Sequence, residues 1–227
     1  NIKYSIRMNI AIIGSGPSAF YTIQGLLKEE IDAKIDIFDK MPAPFGLVRY
    51  GVAPDHQKTK NIIKLFSKYL FDKNVNYFGN IEVGKDIDIK LISELYDVVI
   101  MSTGAPQDKK LDIQGCELTN VFGSTEFVGW YNGAPEYSHL SPDLNHKNAV
   151  IIGNGNVALD CARILAKSTE EFYQSDIMNY ALETLKKSRI DTIYVIGRRT
   201  PKEAKFTIAE LRELSKLIKF QPEVDYN

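Results

Sequence analysis

One pattern occurs twice in this chain and limits the folds open to it: an apolar strand, a glycine turn, a helix, then another apolar strand. The first copy starts at NIAIIGSGPSAF (9–20) and returns at KIDIFDK (34–40); the second starts at NAVIIGNGNVALD (148–160) and returns at TIYVIGRRTP (192–201). Strands that alternate with helical segments in this way predict an α/β protein, and two copies predict two nucleotide folds. Between the copies, Ile62, Leu65, Phe66 and Tyr69 fall at helical spacing, strand candidates lie from 75 to 83, and DVVIMS (97–102) reads as a buried strand. The segment 104–147 is rich in Gly, Pro, Asn and Ser and reads as a crossover. The expected division is therefore a first domain over 1–105 and a second over 106–227, with 106–147 as its crossover part.

The glycine turns carry a chemical expectation. A dinucleotide's pyrophosphate reaches a helix N-terminus only where the backbone comes close to it, which excludes side chains at defined places. Gly14 suits the tight turn, Gly16 the close approach and Ala19 the packing of helix on strand, a G-x-G-x-x-A pattern. Asp39 ends the next strand, where a Rossmann-like fold needs a carboxylate about 20 residues on to accept hydrogen bonds from ribose hydroxyls. A solvated strand end is the plain alternative. The second turn repeats the spacing with Gly153, Gly155 and Ala158, but its next strand ends in Arg198 and Arg199. A 2′-phosphate repels a carboxylate and is matched by guanidinium forks, so this site should prefer NADPH to NADH; a solvated arginine pair is the alternative. A flavin, FAD, has no 2′-phosphate and suits the acid at Asp39.

Composition excludes other classes. The chain has 227 residues, 44% hydrophobic and 25% charged, with formal net charge -1, as expected of a soluble globular protein of one or two domains. No apolar run approaches the roughly 18 residues of a membrane span. Cys116 and Cys161 match no metal or redox spacing, which argues against a disulfide framework and for a reducing compartment. No Ser-His-Asp set and no metal cluster is expected. The start, NIKYSIRMNI, lacks a signal-peptide pattern and an initiator methionine, so an organelle address could precede it.

At PAPFGLVRYGVAPDHQKTKN (42–61) the sequence resembles the adrenodoxin reductase type of ferredoxin-NADP reductase. EFVGWYNGAPE (126–136), GNGNVALDCARIL (153–165) and FTIAELREL (206–214) are similar to the same family, in the same order. The resemblance implies an α/β protein with two Rossmann-like domains, for FAD and NADP, each incomplete within this chain, that passes electrons to a small iron-sulfur protein. It implies FAD contacts at Ser18, Asp39, Leu47 and Val83, and NADP contacts at Asn154, Gly155, Asn156, Val157, Arg198, Arg199 and Glu210. Near the flavin and nicotinamide it implies His56, Asp160 and Glu210. Ser18-Ala19, Asp39 and Asn154 depart from the family's common Ala-Gly, glutamate and glutamine. Mitochondrial placement follows from the resemblance alone.

Residues 186–219 hold ten Lys or Arg against four Asp or Glu. A solvated face is the plain reading. An acidic ferredoxin would dock on such a face, and the resemblance places Arg212 there. No nucleic-acid motif accompanies the charge. Two other enzyme types share paired nucleotide folds: the thioredoxin reductase type needs a C-x-x-C, and the glutamate synthase small-subunit type usually brings a cysteine-rich segment. A nucleotide-binding module without turnover is the non-enzymatic alternative.

Overall fold

The computed structural model describes residues 7–105, 108–109, 111–198 and 200–224. The chain divides into two compact units, Asn1–Val52 with His56–Gln107, and Ala53–Asp55 with Asp108–Asn227. The excursion at Ala53–Asp55 is marked by no shift in composition.

In the first unit, β1 (Met8–Ile13) lies between β2 (Ala33–Phe38) and β4 (Val98–Met101), with β3 (Val75–Phe78) outside β2. All pairs are parallel, in the order β3-β2-β1-β4. A central parallel strand is covered on both faces and must be apolar throughout; Ile10, Ala11, Ile12 and Ile13 are all buried. Helix α1 (Pro17–Lys28) returns the chain toward β2 and buries Ala19, Phe20 and Ile23 along one face. The short α2 (Leu47–Tyr50) and α3 (Gln57–Lys60) lead to α4 (Ile62–Leu70), the helix expected from its spacing. Phe66 of α4 stacks on Phe20 at 5.0 Å between centroids, and Phe45 meets Phe20 at 5.1 Å. On the opposite face, Ile92 of α5 (Ile89–Leu95) packs with Ala11 and Phe38.

Asp36 is buried inside β2, yet its carboxylate accepts from Asn76 Nδ2 and from the Tyr96 hydroxyl, each at 2.7 Å. Burial, and then the Asp36 carboxylate, push the Tyr96 phenol up to about 12. The expectation of a buried strand over 97–102 is corrected: Val98 and Met101 are exposed. β4 pairs with β1 alone and is an edge strand among the described residues. A continuous apolar run does not distinguish the two.

In the second unit, β5 (Asn148–Ile152) and β6 (Thr192–Ile196) pair in parallel, Asn148 with Thr192 through Ile152 with Ile196. The segment that reads as a crossover contains α6 (Ser124–Asn132), and its Val128, Trp130 and Tyr131 are core residues. They pack with Cys161 and Ile164 of α7 (Asn156–Ala166) and with Ala181 and Leu185 of α8 (Asn179–Lys186). Asp108 fixes the start of α6 by accepting from Thr125 N at 2.7 Å and from the Ser124 and Thr125 hydroxyls. The last helix, α9 (Ile208–Leu214), has no buried residue. Among the described residues no helix is long and apolar enough to cross a membrane.

Candidate dinucleotide sites

The first turn leaves β1 at Gly14, whose N–H donates to Phe38 O at 2.7 Å and so ties it to the end of β2. Gly14 adopts φ +99°, a conformation open mainly to glycine. Gly16 caps α1 with Pro17 at its first turn, where a missing N–H costs nothing. Gly16 itself has an ordinary φ of -77°, and a Cβ built there would meet nothing within 4 Å. Neither the backbone nor the surrounding protein therefore demands glycine at this position. An open backbone here is what the close approach of a dinucleotide's pyrophosphate would require.

Asp39 stands at the strand end facing this turn. Its Oδ2 accepts from Ser15 N at 2.6 Å and from Ser15 Oγ at 2.5 Å, and its Oδ1 accepts from Met41 N at 2.8 Å. Both lone-pair sites of Oδ2 are taken and Oδ1 keeps one, so the carboxylate is aimed and retains acceptor capacity at Oδ1. Ser15, fully buried, was not singled out from the sequence; its place between the two glycines, facing an acid at the next strand end, was the available signal. Burial, and then Asp39, push the Tyr77 phenol up to about 12. The backbone at Phe45 has φ +89°, its N–H donates to Ser15 O at 2.9 Å, and a Cβ on Gly46 would lie 2.8 Å from Gly16 Cα. This short strap rests on the turn.

The other expected first-unit residues fall on separate elements. Ser18 is exposed in the first turn of α1, and Ala19 is buried beneath it. Leu47, exposed, opens α2 directly after the strap; Val83 is half-buried and bridges Ile87. His56 is half-buried and caps α3, its carbonyl accepting from Thr59 N and Lys60 N.

The second turn repeats the first in its ties. Gly153 N donates to Ile196 O at 2.9 Å, Gly155 caps α7 with φ -126°, and a Cβ on Gly155 would also meet nothing within 4 Å. Asn154 O accepts from Lys205 N at 2.9 Å and Asn156 Oδ1 from Thr207 N at 2.8 Å, so both asparagines bind the segment before α9. Val157 is exposed in the first turn of α7. Arg198 is exposed, two residues past the end of β6; Arg199 lies outside the described residues. Arg212 is exposed on α9.

Asp160 and Glu210 are brought together by a residue the sequence reading passed over. Arg163, 1% exposed, forms ion pairs with Asp160 at 2.7 Å and with Glu210 at 3.3 Å. It also grips Asp55 with Nε at 2.9 Å and Nη2 at 3.0 Å, and Lys167 joins Asp55 at 2.5 Å. Burial by itself would raise the Asp55 carboxyl, but the Arg163 fork and then Lys167 hold it well below the usual carboxylate range. Burial opposes the Arg163 charge less than Asp55 and Asp160 favour it, so its pKa is raised. Cys161, buried beside them, has its thiol pushed up to about 12 by burial and is no nucleophile at neutral pH.

The Asp55 pair has a pH signature. A carboxyl held below its unfolded value of 3.8 stabilises the fold at pH above that value and ceases to do so as pH falls through the folded value. Melting of the second unit is therefore expected to be insensitive to this group above about pH 5 and to fall below about pH 4. Asp55→Asn should lower stability by about 3 kcal/mol at neutral pH, and its deficit should shrink in acid. Thermal melting of both proteins from acid to neutral pH checks this; a deficit independent of pH would refute it.

Two parallel sheets, each opening through a G-x-G-x-x-A turn into a helix, define a two-dinucleotide-fold protein. The chain belongs to the pyridine nucleotide-disulphide oxidoreductase family, which it matches over residues 8–196. It is 46% identical over 216 residues to the mitochondrial NADPH:adrenodoxin oxidoreductase of Bos taurus, covering 95% of this chain and 44% of that protein. It is 46% identical over 213 residues to the NADPH-ferredoxin reductase FprA of Mycobacterium tuberculosis, covering 92% of this chain and 47% of that protein. The structure of Mycobacterium tuberculosis FprA in complex with NADPH superposes with a TM-score of 0.90 at 46% identity, over 93% of this chain and 48% of that one. The chain thus spans less than half the length of these relatives, and the resemblance read from its motifs holds along nearly all of it.

Proposed function

We propose that this chain is the dinucleotide-binding part of an FAD-dependent oxidoreductase that takes electrons from NADPH and passes them to a small iron-sulfur protein of the ferredoxin or adrenodoxin type. The observation that carries it is the pair of glycines, Gly16 and Gly155, at which neither conformation nor packing excludes a side chain, each at the N-terminus of a helix of more than ten residues. The strand ends beside the two turns differ in sign, Asp39 at the first and Arg198 with Arg199 at the second. That difference supports FAD at the first and NADP at the second. The names of the relatives, an adrenodoxin oxidoreductase and a ferredoxin reductase, support the electron acceptor.

A bound flavin accepts an electron pair from a nicotinamide and releases electrons singly, which a one-electron iron-sulfur acceptor requires. The residues of this chain bind and orient. Asp39, aimed by Ser15 and Met41, would accept a hydrogen bond from the FAD ribose. Ser18, Leu47 and Val83 would line the same ligand. Arg198 and Arg199 would hold the 2′-phosphate, while Gly155, Asn156 and Val157 would present the first turn of α7 to the NADP pyrophosphate. His56, Asp160 and Glu210 would stand toward the reacting rings. The exposed Arg212, in the basic stretch 186–219, would face an acidic iron-sulfur partner, and the relatives favour a mitochondrial setting.

The test is the visible spectrum of the complete protein, loaded with FAD, before and after NADPH is added without oxygen. The flavin band should bleach with NADPH far faster than with equal NADH. Addition of an oxidised ferredoxin should restore it. No bleaching by either nucleotide, in protein that retains FAD, would overturn the proposal.

A further inference from the structure

Arg163 lies on α7, two turns beyond the glycine turn, and neither the dinucleotide signature nor the strand-end charges assign it a role. Its guanidinium is buried and every nitrogen is engaged: Nε and Nη2 on Asp55, Nη2 also on Asp160, Nη1 on Glu210. A buried ion cluster adds little stability over apolar packing of the same volume, because desolvation offsets the attraction. Stability is thus a poor account of a residue that gathers three carboxylates. Geometry is a better one, since two of the three are the expected site carboxylates, one from α7 and one from α9.

How α9 is held points the same way. It buries no side chain; Ile208 is 69% exposed and Leu211 43%. Its ties to α7 and the preceding turn are polar: Glu210 to Arg163, Thr207 N to Asn156 Oδ1, and Lys205 N to Asn154 O. Among the described residues α9 has no apolar burial, so within this chain each polar tie weighs heavily in where it rests. The Arg163 fork is the one of the three that reaches into the helix itself. Charge adds a second consequence. Asp55, Asp160 and Glu210 together would present three negative charges near a site for an anionic nucleotide, and Arg163 with Lys167 reduces that to one.

We propose that Arg163 is a positioning residue of the second dinucleotide site: it draws Glu210, and with it α9, onto α7 and holds Asp160 in place, so that the face receiving a nicotinamide dinucleotide phosphate is assembled through one buried fork. The inference rests on the assignment of NADP to that turn. Only the planar guanidinium reaches all three carboxylates; a lysine keeps the charge and loses the fork.

The experiment uses the complete oxidised protein and two variants, Arg163→Lys and Glu210→Gln, with two readouts that need no turnover. In Arg163→Lys, amide exchange within 208–214 should rise in the absence of nucleotide while exchange in 148–152 stays at the parent level, and the NADP⁺ dissociation constant should rise by about tenfold or more. Glu210→Gln removes the charge on the α9 side without disturbing the buried guanidinium and should also loosen 208–214. Exchange in 208–214 unchanged in both variants overturns the proposal, as does a rise spread equally over 148–152, which would mark Arg163 as a general stabiliser. Should Arg163→Lys fail to fold, Glu210→Gln decides alone by the same criteria. If the parent protein binds no NADP⁺, the assignment of the second site fails, while the exchange comparison still decides whether the fork holds α9.

Discussion

Gly14→Ala is expected to destabilise the first unit by about 2 to 5 kcal/mol, a large fraction of the roughly 5–15 kcal/mol that holds a domain folded. Two independent terms combine. At φ +99° an L-residue costs about 1–2 kcal/mol from backbone crowding alone. The added Cβ would also overlap the Ser102 carbonyl oxygen and lie 2.7 Å from its carbon. Ser102 cannot yield freely, because its N–H donates to Ile13 O at 2.7 Å and Met101 pairs with Ile13 in the β1–β4 register. Overpacking of this kind costs about 1–3 kcal/mol. The informative control is Gly16→Ala, two residues on. Its φ is ordinary and its Cβ meets open space, so stability should change by no more than about 1 kcal/mol, the scale of a helix-cap substitution. FAD retention should nevertheless fall sharply. Urea denaturation and flavin content, measured on both variants, separate a glycine needed by the fold from one needed by the ligand. Equal FAD retention in Gly16→Ala and the parent would remove the observation on which the proposed function stands.

The second large effect concerns nucleotide choice. Changing Arg198 and Arg199 together to alanine should weaken NADPH by about 10- to 150-fold for each charge-assisted bond lost, at about 1.5–3 kcal/mol per bond. NADH, which has no 2′-phosphate, should bind as before or slightly better. Arg198 is exposed and past the strand end, so its removal leaves β6 and its pairing with β5 intact. Dissociation constants of the two nucleotides, measured at one fixed ionic strength, give the ratio directly. Equal loss for both would mean that the arginines bear on the protein's general charge and not on the phosphate.

Much of this protein was legible in order along the chain. The two turns, the strands on either side of them, α1, α4 and α7 follow from apolar periodicity broken by glycine at defined spacing. The acid at Asp39 and the arginine at Arg198 were legible for the same reason, because a parallel strand leaving the turn's helix must end beside the turn. The helix α6 was not: Phe127, Trp130 and Tyr131 sit among glycines, prolines and asparagines, and composition averaged over 104–147 hid a core helix inside an apparent linker. β4 was read as buried because an apolar strand looks the same whether it has one neighbour or two.

The sequence by itself determined the class of fold, the two glycine turns that open into helices, and the opposite charges beside those turns, all of which depend on residues near one another in the chain. Only the tertiary structure decided that Ala53–Asp55 packs with the second unit, that Ser15 aims Asp39, and that Arg163 joins Asp55, Asp160 and Glu210. Asp55 and Arg163 are 108 residues apart, and nothing in the local pattern of either records the other. A buried charge is tolerated only where partners meet it in space, and where those partners lie is a property of the folded chain.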